Sequence, residues 1–232
     1  MQELLDRDQI VSILEEHGLQ QIFIDTLKPH LRLYSFEQGE LVCSQGDRSE
    51  YLYVLVKGKI KIFTTSPEGR TLILSFRTPL EIIGDIEYIQ KRDIINTVEA
   101  ISPAFFLGIH YRWLEKYAEN HAPFLKFKLG IITEKFYANS HAANFNLMYP
   151  VEVRLASYLL SVSVGESPAG FAGQLSTEEL SDAANLIGTS YRHMNRVILK
   201  FSEAGLVERK NGYVRIIDRE GLQGVASRNI YE

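Results

Sequence analysis

LSDAANLIGTSYRHMNRVILKF, residues Leu180–Phe201, carries two apolar patterns joined at a glycine. Leu180, Ala183, Ala184 and Ile187 recur at three- and four-residue spacing, and beyond Gly188 Met194, Val197, Ile198 and Phe201 do the same. That spacing puts each set on one face of a helix. Gly188 suits the left-handed residue that closes the first helix, and Ser190 suits the N-cap of the second. Upstream, Ser176 and Glu179 have the spacing of a capping box. Downstream, LVERKNGYVRI (Leu206–Ile216) reads as a hairpin about the Asn211-Gly212 turn. Helix, glycine turn, helix and hairpin together predict a winged helix-turn-helix.

The outer face of the second helix then bears on function. With Met194 and Val197 turned inward, Ser190, Tyr191, Arg192, His193, Asn195 and Arg196 are left outward, near the helix start. Arginine can fork to guanine, asparagine can pair with adenine, and hydroxyls can bind phosphate. Arg209 and Lys210 at the wing tip are placed for a neighbouring phosphate. The chain is acidic overall, with a formal net charge of -4. Its charge is unevenly spread: residues 1–110 hold 11 basic and 16 acidic side chains, whereas 188–215 hold 6 basic and 2 acidic. A solvated basic face is the plain alternative for such a run. The agreement of helix, turn, inward face and wing favours double-stranded DNA.

Working outward, Leu31 to His110 reads as short strands. LYVLVKGKIKIFTT and RTLILSF are rich in Val, Ile, Leu, Phe and Tyr and are punctuated by Gln45-Gly46-Asp47, Lys57-Gly58, Ser66-Pro67-Glu68-Gly69 and Ile83-Gly84-Asp85. Lys57, Lys59 and Lys61 alternate with apolar residues, the pattern of a half-buried antiparallel strand. Such strands suggest a jelly roll or small barrel. From Phe124 to Met148 only Gly130 interrupts a helical pattern, in which Leu125, Leu129, Ile132 and Phe136 form an apolar seam. The seam suits packing on the roll, on another helix or on a second subunit. Tyr149-Pro150 breaks this helix, Val151 to Val164 resumes it with Val153, Leu155, Ala156, Leu159 and Leu160 inward, and residues 165–170 read as a loop. The fold class is thus α+β: a jelly roll over 1–110, a long connecting helix over 111–149 and a winged helix-turn-helix over 150–232.

Composition excludes several alternatives. The 232 residues, 45% hydrophobic, suffice for two modest cores. No run approaches the roughly 18 apolar residues of a membrane helix, and the start MQELLDRDQI lacks a signal-peptide pattern. The expected location is the cytoplasm, without membrane contact. The single cysteine, Cys43, cannot build a disulfide framework or hold a four-cysteine iron–sulfur cluster. His17, His30, His110, His121 and His141 show no ligand spacing, so neither a metal nor a cofactor is expected. A metal-dependent cupin-like enzyme would need clustered histidines on adjacent strands, and the roll offers only His110. The other competing reading is a winged helix that grips protein instead of DNA.

The ensemble resembles the cyclic AMP receptor protein/FNR superfamily of bacterial transcription regulators over nearly the whole chain. The resemblance rests on Gln45-Gly46-Asp47, Val56-Lys57-Gly58-Lys59-Ile60-Lys61, Ile83-Gly84-Asp85, GTSYRHMNRVI and Glu203-Ala204-Gly205-Leu206-Val207. Ser-Tyr-Arg-His, followed by Phe-x-x-x-Gly-Leu and Lys-x-Gly-Tyr, looks closest to the YeiL-like branch. Membership implies a homodimer along the long helix, a roughly palindromic operator read by two recognition helices, and RNA polymerase as a further partner. It also implies an effector pocket about Gly84, Asp85, Glu87, Asn96 and Thr97. The family's acid position falls on Asp85 or Glu87, but its Arg-Ser or Arg-Thr pair falls near Asn96-Thr97. A cyclic phosphate would there be buried without a counter-charge, at a cost of several kcal/mol. Cyclic AMP binding of the usual kind is therefore not expected. Arg196 matches a family arginine, whereas Tyr191 and Arg192 stand where the cyclic AMP receptor protein has Arg and Glu. A signal in the roll is expected to act through the Tyr149-Pro150 hinge.

Overall fold

The structure, a computed structural model, describes residues 1–4, 6–67, 69, 71–162, 174–177 and 180–226. The chain divides into two compact units, Met1–Phe136 and Tyr137–Glu232.

The first unit is built on two antiparallel sheets. Strands β1 (Gln2–Leu4), β2 (Arg32–Phe36), β4 (Tyr51–Lys57), β7 (Glu81–Ile83) and β9 (Ala104–His110) form one, in the order β1-β2-β9-β4-β7. The other has β3 (Leu41–Cys43), β5 (Ile60–Thr65), β6 (Thr71–Arg77) and β8 (Thr97–Ala100), in the order β3-β8-β5-β6. Side-chain alternation gives the first sheet two working faces. Leu33, Leu52, Val54, Leu107 and Ile109 pack with Ile10 and Leu14 of α1 (Arg7–Glu16), Leu114 of α3 (Tyr111–Tyr117) and Phe124 and Ile131 of α4 (Ala122–Met148). On the opposite face Tyr34, Phe36, Leu55 and Phe106 meet Val42, Ile60, Val98 and Ala100 of the second sheet. The expected jelly roll is thus present, sealed on one side by helices. Neither β1 nor α1 was assigned from sequence: β1 is three residues long and is held by pairing with β2, 29 residues downstream in the chain at Leu4↔Leu33.

Two glycines are fixed by space as well as by backbone. Gly58 has φ 96°, and a Cβ there would strike the Pro103 carbonyl oxygen. Gly84 has φ 86°, and its Cβ would lie 2.5 Å from the Tyr51 carbonyl oxygen and 2.7 Å from the Tyr111 hydroxyl. Gly84 is also the N-cap of the short helix α2 (Asp85–Gln90).

Helix α4 runs for 27 residues. The seam expected along it faces away from the roll: Leu129 is 64% and Phe136 73% exposed, while Phe124, Lys128 and Ile131 turn inward. Of the three partners the seam suits, its own roll does not cover it.

The second unit contains the end of α4, α5 (Val151–Val162), α6 (Leu180–Leu186), α7 (Tyr191–Glu203) and α8 (Arg219–Ala226). With them is a sheet of β10 (Gln174–Ser176), β11 (Val207–Lys210) and β12 (Tyr213–Ile216), in the order β10-β12-β11. One core gathers Leu155, Leu159, Leu180, Ala183, Ala184, Ile187, Met194, Val197, Ile198, Phe201, Val214 and Leu222. Ser176 ends strand β10, paired with Tyr213; Glu179, its expected partner in the capping box, lies outside the described residues. One reading needs correction and one element is new. Val153 is only half-buried, and the neighbouring Arg154 takes the inward position. Helix α8, which was not assigned, packs Leu222 and Ala226 into the core. The loop expected over 165–170 lies outside the described residues.

Candidate nucleic-acid interface and effector region

The turn between α6 and α7 is closed by backbone bonds. Thr189 N–H donates to Ala184 O at 2.9 Å and Gly188 N–H to Asn185 O at 3.3 Å, with Gly188 at φ 65°. This is the Schellman arrangement, with glycine at its left-handed position. Ser190 follows as N-cap, its Oγ accepting from His193 N–H at 3.2 Å. Two side chains that sequence reading missed complete the turn. Arg154 on α5 is buried, and its Nη1 donates to the carbonyls of Ile187 and, at 3.3 Å, Gly188. Asn146 Nδ2 donates to Leu186 O at 3.4 Å. They satisfy the carbonyls that a helix end leaves without partners. The signal for Arg154 was a charged residue between apolar neighbours in VEVRLASYLL.

Helix α7 buries Met194, Val197, Ile198 and Phe201, as its spacing predicts. Ser190, Tyr191, Arg192 and Arg196 are exposed, and His193 and Asn195 are half-buried. Arg209 and Lys210 are exposed on β11, beside the turn at Asn211 (φ 52°) and Gly212 (φ 79°). Tyr191, Asn195 and Arg209 are brought together. Arg209 Nη1 donates to Asn195 Oδ1 at 2.9 Å, and Asn195 Nδ2 donates to Tyr191 O at 3.0 Å. Hydrogen bonds from Asn195 and then Arg209 hold the Tyr191 phenol below its ordinary pKa.

In the first unit, the residues expected around an effector are already engaged by the chain. The Tyr111 hydroxyl donates to Gly84 O at 2.8 Å and lies 2.5 Å from Ser49 Oγ. Asp85, at the start of α2, is buried and paired with Lys135 of α4 at 3.1 Å. Lys135 also pairs with buried Glu81 at 2.9 Å, to which Arg77 adds a contact at 3.3 Å. Glu87 Oε1 accepts from Ile95 N–H at 3.0 Å, and Thr97 Oγ1 from Gln45 N–H at 3.1 Å. Asn96 is half-buried, its carbonyl accepting weakly from Cys43 Sγ at 3.9 Å. Burial, and next the Glu87 carboxylate, push the Cys43 thiol up to about 12, so it stays protonated at neutral pH. Arg92, the arginine nearest this region in sequence, is exposed and donates to Gln90 Oε1 at 3.1 Å. Among the described residues, no three His, Cys, Asp or Glu side chains are grouped to hold a metal ion. No helix among them is long and apolar enough to cross a membrane.

Two family descriptions match in sequence: a cyclic nucleotide-binding domain over residues 33–121 and a Crp-like helix-turn-helix domain over 153–225. The chain belongs to the CRP/FNR family of transcription regulators. This family is one of DNA-binding regulators, not enzymes. The CRP/FNR chain is 27% identical to the regulatory protein YeiL of Escherichia coli, over 92% of its own length and 94% of that protein. It is 22% identical to the CRP-like cAMP-activated global transcriptional regulator of Mycobacterium tuberculosis, over 96% and 98%. Its fold is shared with a crp/fnr regulator from Eubacterium rectale (TM-score 0.76, 18% identity, 93% of this chain and 98% of that one). It is shared too with the c-di-GMP responsive regulator CLP of Xanthomonas campestris (TM-score 0.72, 19% identity, 84% and 97%).

Proposed function

We propose that this CRP/FNR regulator binds a roughly palindromic operator as a homodimer and that its roll does not take cyclic AMP in the usual way. The observation that carries the first part is α7: one face is locked into the core, and the other presents Tyr191, Arg192 and Arg196 behind a Ser190 cap. A recognition helix needs both faces, and its positive N-terminal end suits a backbone phosphate. Dimerisation along α4 is supported by the outward seam of Leu125, Leu129 and Phe136, large apolar side chains that the chain's own core leaves uncovered. Within this reading, residues 1–110 sense, 111–149 join the two copies and 150–232 read DNA. Contact with RNA polymerase belongs to the same proposal.

The second part rests on the charges about α2. Asp85 is neutralised by Lys135, and Asn96-Thr97 lies near the position at which the family pattern calls for an Arg-Ser or Arg-Thr pair. A cyclic phosphate there would meet buried carboxylates without an arginine to offset them.

Selection from a random duplex pool, followed by footprinting, tests the first part. A two-fold symmetric site with half-sites one helical turn apart is expected, and its affinity should fall steeply with salt. An asymmetric site, or retention of all sequences alike, would overturn it. Thermal unfolding with and without cyclic AMP tests the second. A midpoint that does not move is expected, and a saturable rise abolished by Asp85→Asn would refute it.

A further inference from the structure

Asparagine on a recognition helix is ordinarily read as an adenine contact, because its amide offers a donor and an acceptor together. Here both ends of the Asn195 amide are in use within the protein. Oδ1 accepts from Arg209 at 2.9 Å, and Nδ2 donates to the Tyr191 carbonyl one turn earlier at 3.0 Å. Each end keeps one further site, but these two bonds fix the plane of the amide to suit Arg209 and Tyr191. Arg209 is in the opposite position. It lies on β11 of the wing, is exposed, and carries five N–H donors in a planar fork, of which Asn195 takes up one. The strand places the guanidinium beside the first turn of α7, on the side that holds Tyr191 and Asn195.

We propose that Asn195 is a positioning residue and that the base-reading group it serves is Arg209, so that wing and recognition helix read one base pair together. The inference rests on DNA recognition by α7. An arginine side chain loses considerable freedom when it is fixed. Asn195 removes much of that loss before DNA arrives, and a pre-set fork gains selectivity over a mobile one that only neutralises phosphate. Tyr191 is the third member: its carbonyl orients the amide.

The test uses the full-length protein and the sequence that the wild type enriches from a random duplex pool. Relative affinity is measured for every single-base change in one half-site, for wild type, Asn195→Ala, Asn195→Asp, Arg209→Ala and the double alanine variant. Asn195→Ala and Arg209→Ala should each relax preference at the same position, by about tenfold or more, and the double variant should relax it no further. Asn195→Asp is the discriminating substitution. A carboxylate still holds the guanidinium but cannot donate to adenine or to a carbonyl. Preference should persist in this variant while affinity falls on every sequence alike through the added negative charge. Loss of preference in both Asn195 variants at a position that Arg209→Ala leaves intact would make Asn195 the reader and overturn the proposal. Equal weakening of Arg209→Ala on all sequences, with a shallower salt dependence, would make Arg209 a phosphate contact and overturn it too. If the wild type enriches no sequence, DNA recognition by α7 fails, and the proposal falls with it.

Discussion

Arg196 and Arg154 show two opposite uses of one side chain. Arg196 is exposed on α7, and on the proposed reading of DNA its replacement by alanine should cost about 1–3 kcal/mol of operator binding and relax one base position. Competition assays against single-base variants check this; uniform weakening would make it a phosphate contact. Arg154 is buried and holds the turn instead. Its outward relatives were legible because exposed basic residues follow from the apolar spacing of their neighbours. Arg154 was not, because only the folded chain brings the α6 carbonyls to α5. His30 carries the pH dependence at this scale. Its ring stacks on Trp113 at 3.6 Å, and burial, then the nearby charges of Arg32, Lys116, Arg112 and Arg7, lower its pKa from 6.5. The unfolded chain then takes up the proton first as pH falls. The His30 contribution is complete above pH 6.5 and declines below it, until the folded histidine is protonated as well. Denaturant unfolding at about pH 7.5 and about pH 5 should show a smaller loss for His30→Gln than for wild type.

Among the elements, α4 is where sequence and structure agree on length and differ on chemistry. Its span follows from the absence of proline after Pro123, and its outward seam from apolar spacing. Its inward face is partly ionic, which periodicity does not reveal. Lys128 is buried, its ammonium 4.9 Å from the centre of the Tyr88 ring, and burial lowers its pKa. Lys135 bridges Glu81 and Asp85. Replacing Lys135 with methionine leaves two buried carboxylates without that cation and should destabilise the first unit by about 3–5 kcal/mol. Adding Asp85→Asn to that variant should recover part of the loss. Thermal unfolding measures both, and a Lys135→Met midpoint equal to wild type would show the cluster to be energetically neutral. Strands were legible where they alternate over several residues, as in β4 and β5. The three-residue β10 was not, because pairing with β12 across about forty residues makes it a strand, and no local pattern carries that.

For the whole molecule, the exposed seam of α4 is the feature on which the proposed homodimer rests. Phe136→Glu or Leu129→Glu should shift sedimentation from dimer to monomer at micromolar concentration. Operator affinity should fall at least a hundredfold with it, because two half-sites are no longer held at once. A variant that stays dimeric would place the interface elsewhere. The architecture was legible from sequence because each local signal agreed with the next. The effector region was not, because its polar groups find their partners on strands and helices far apart in the chain.

The position of β12 between β10 and β11 sets a limit on how far the DNA-reading end can be shortened. A fragment starting at Leu180 keeps both helices and the hairpin yet strips one side of β12, exposing unpaired amides and the edge around Val214. Such a fragment should precipitate or self-associate through that bare edge, whereas one that begins ahead of Val151 keeps both β10 and α5, whose Leu155 and Leu159 share the core. The smallest soluble reading head therefore starts before the motif that does the reading.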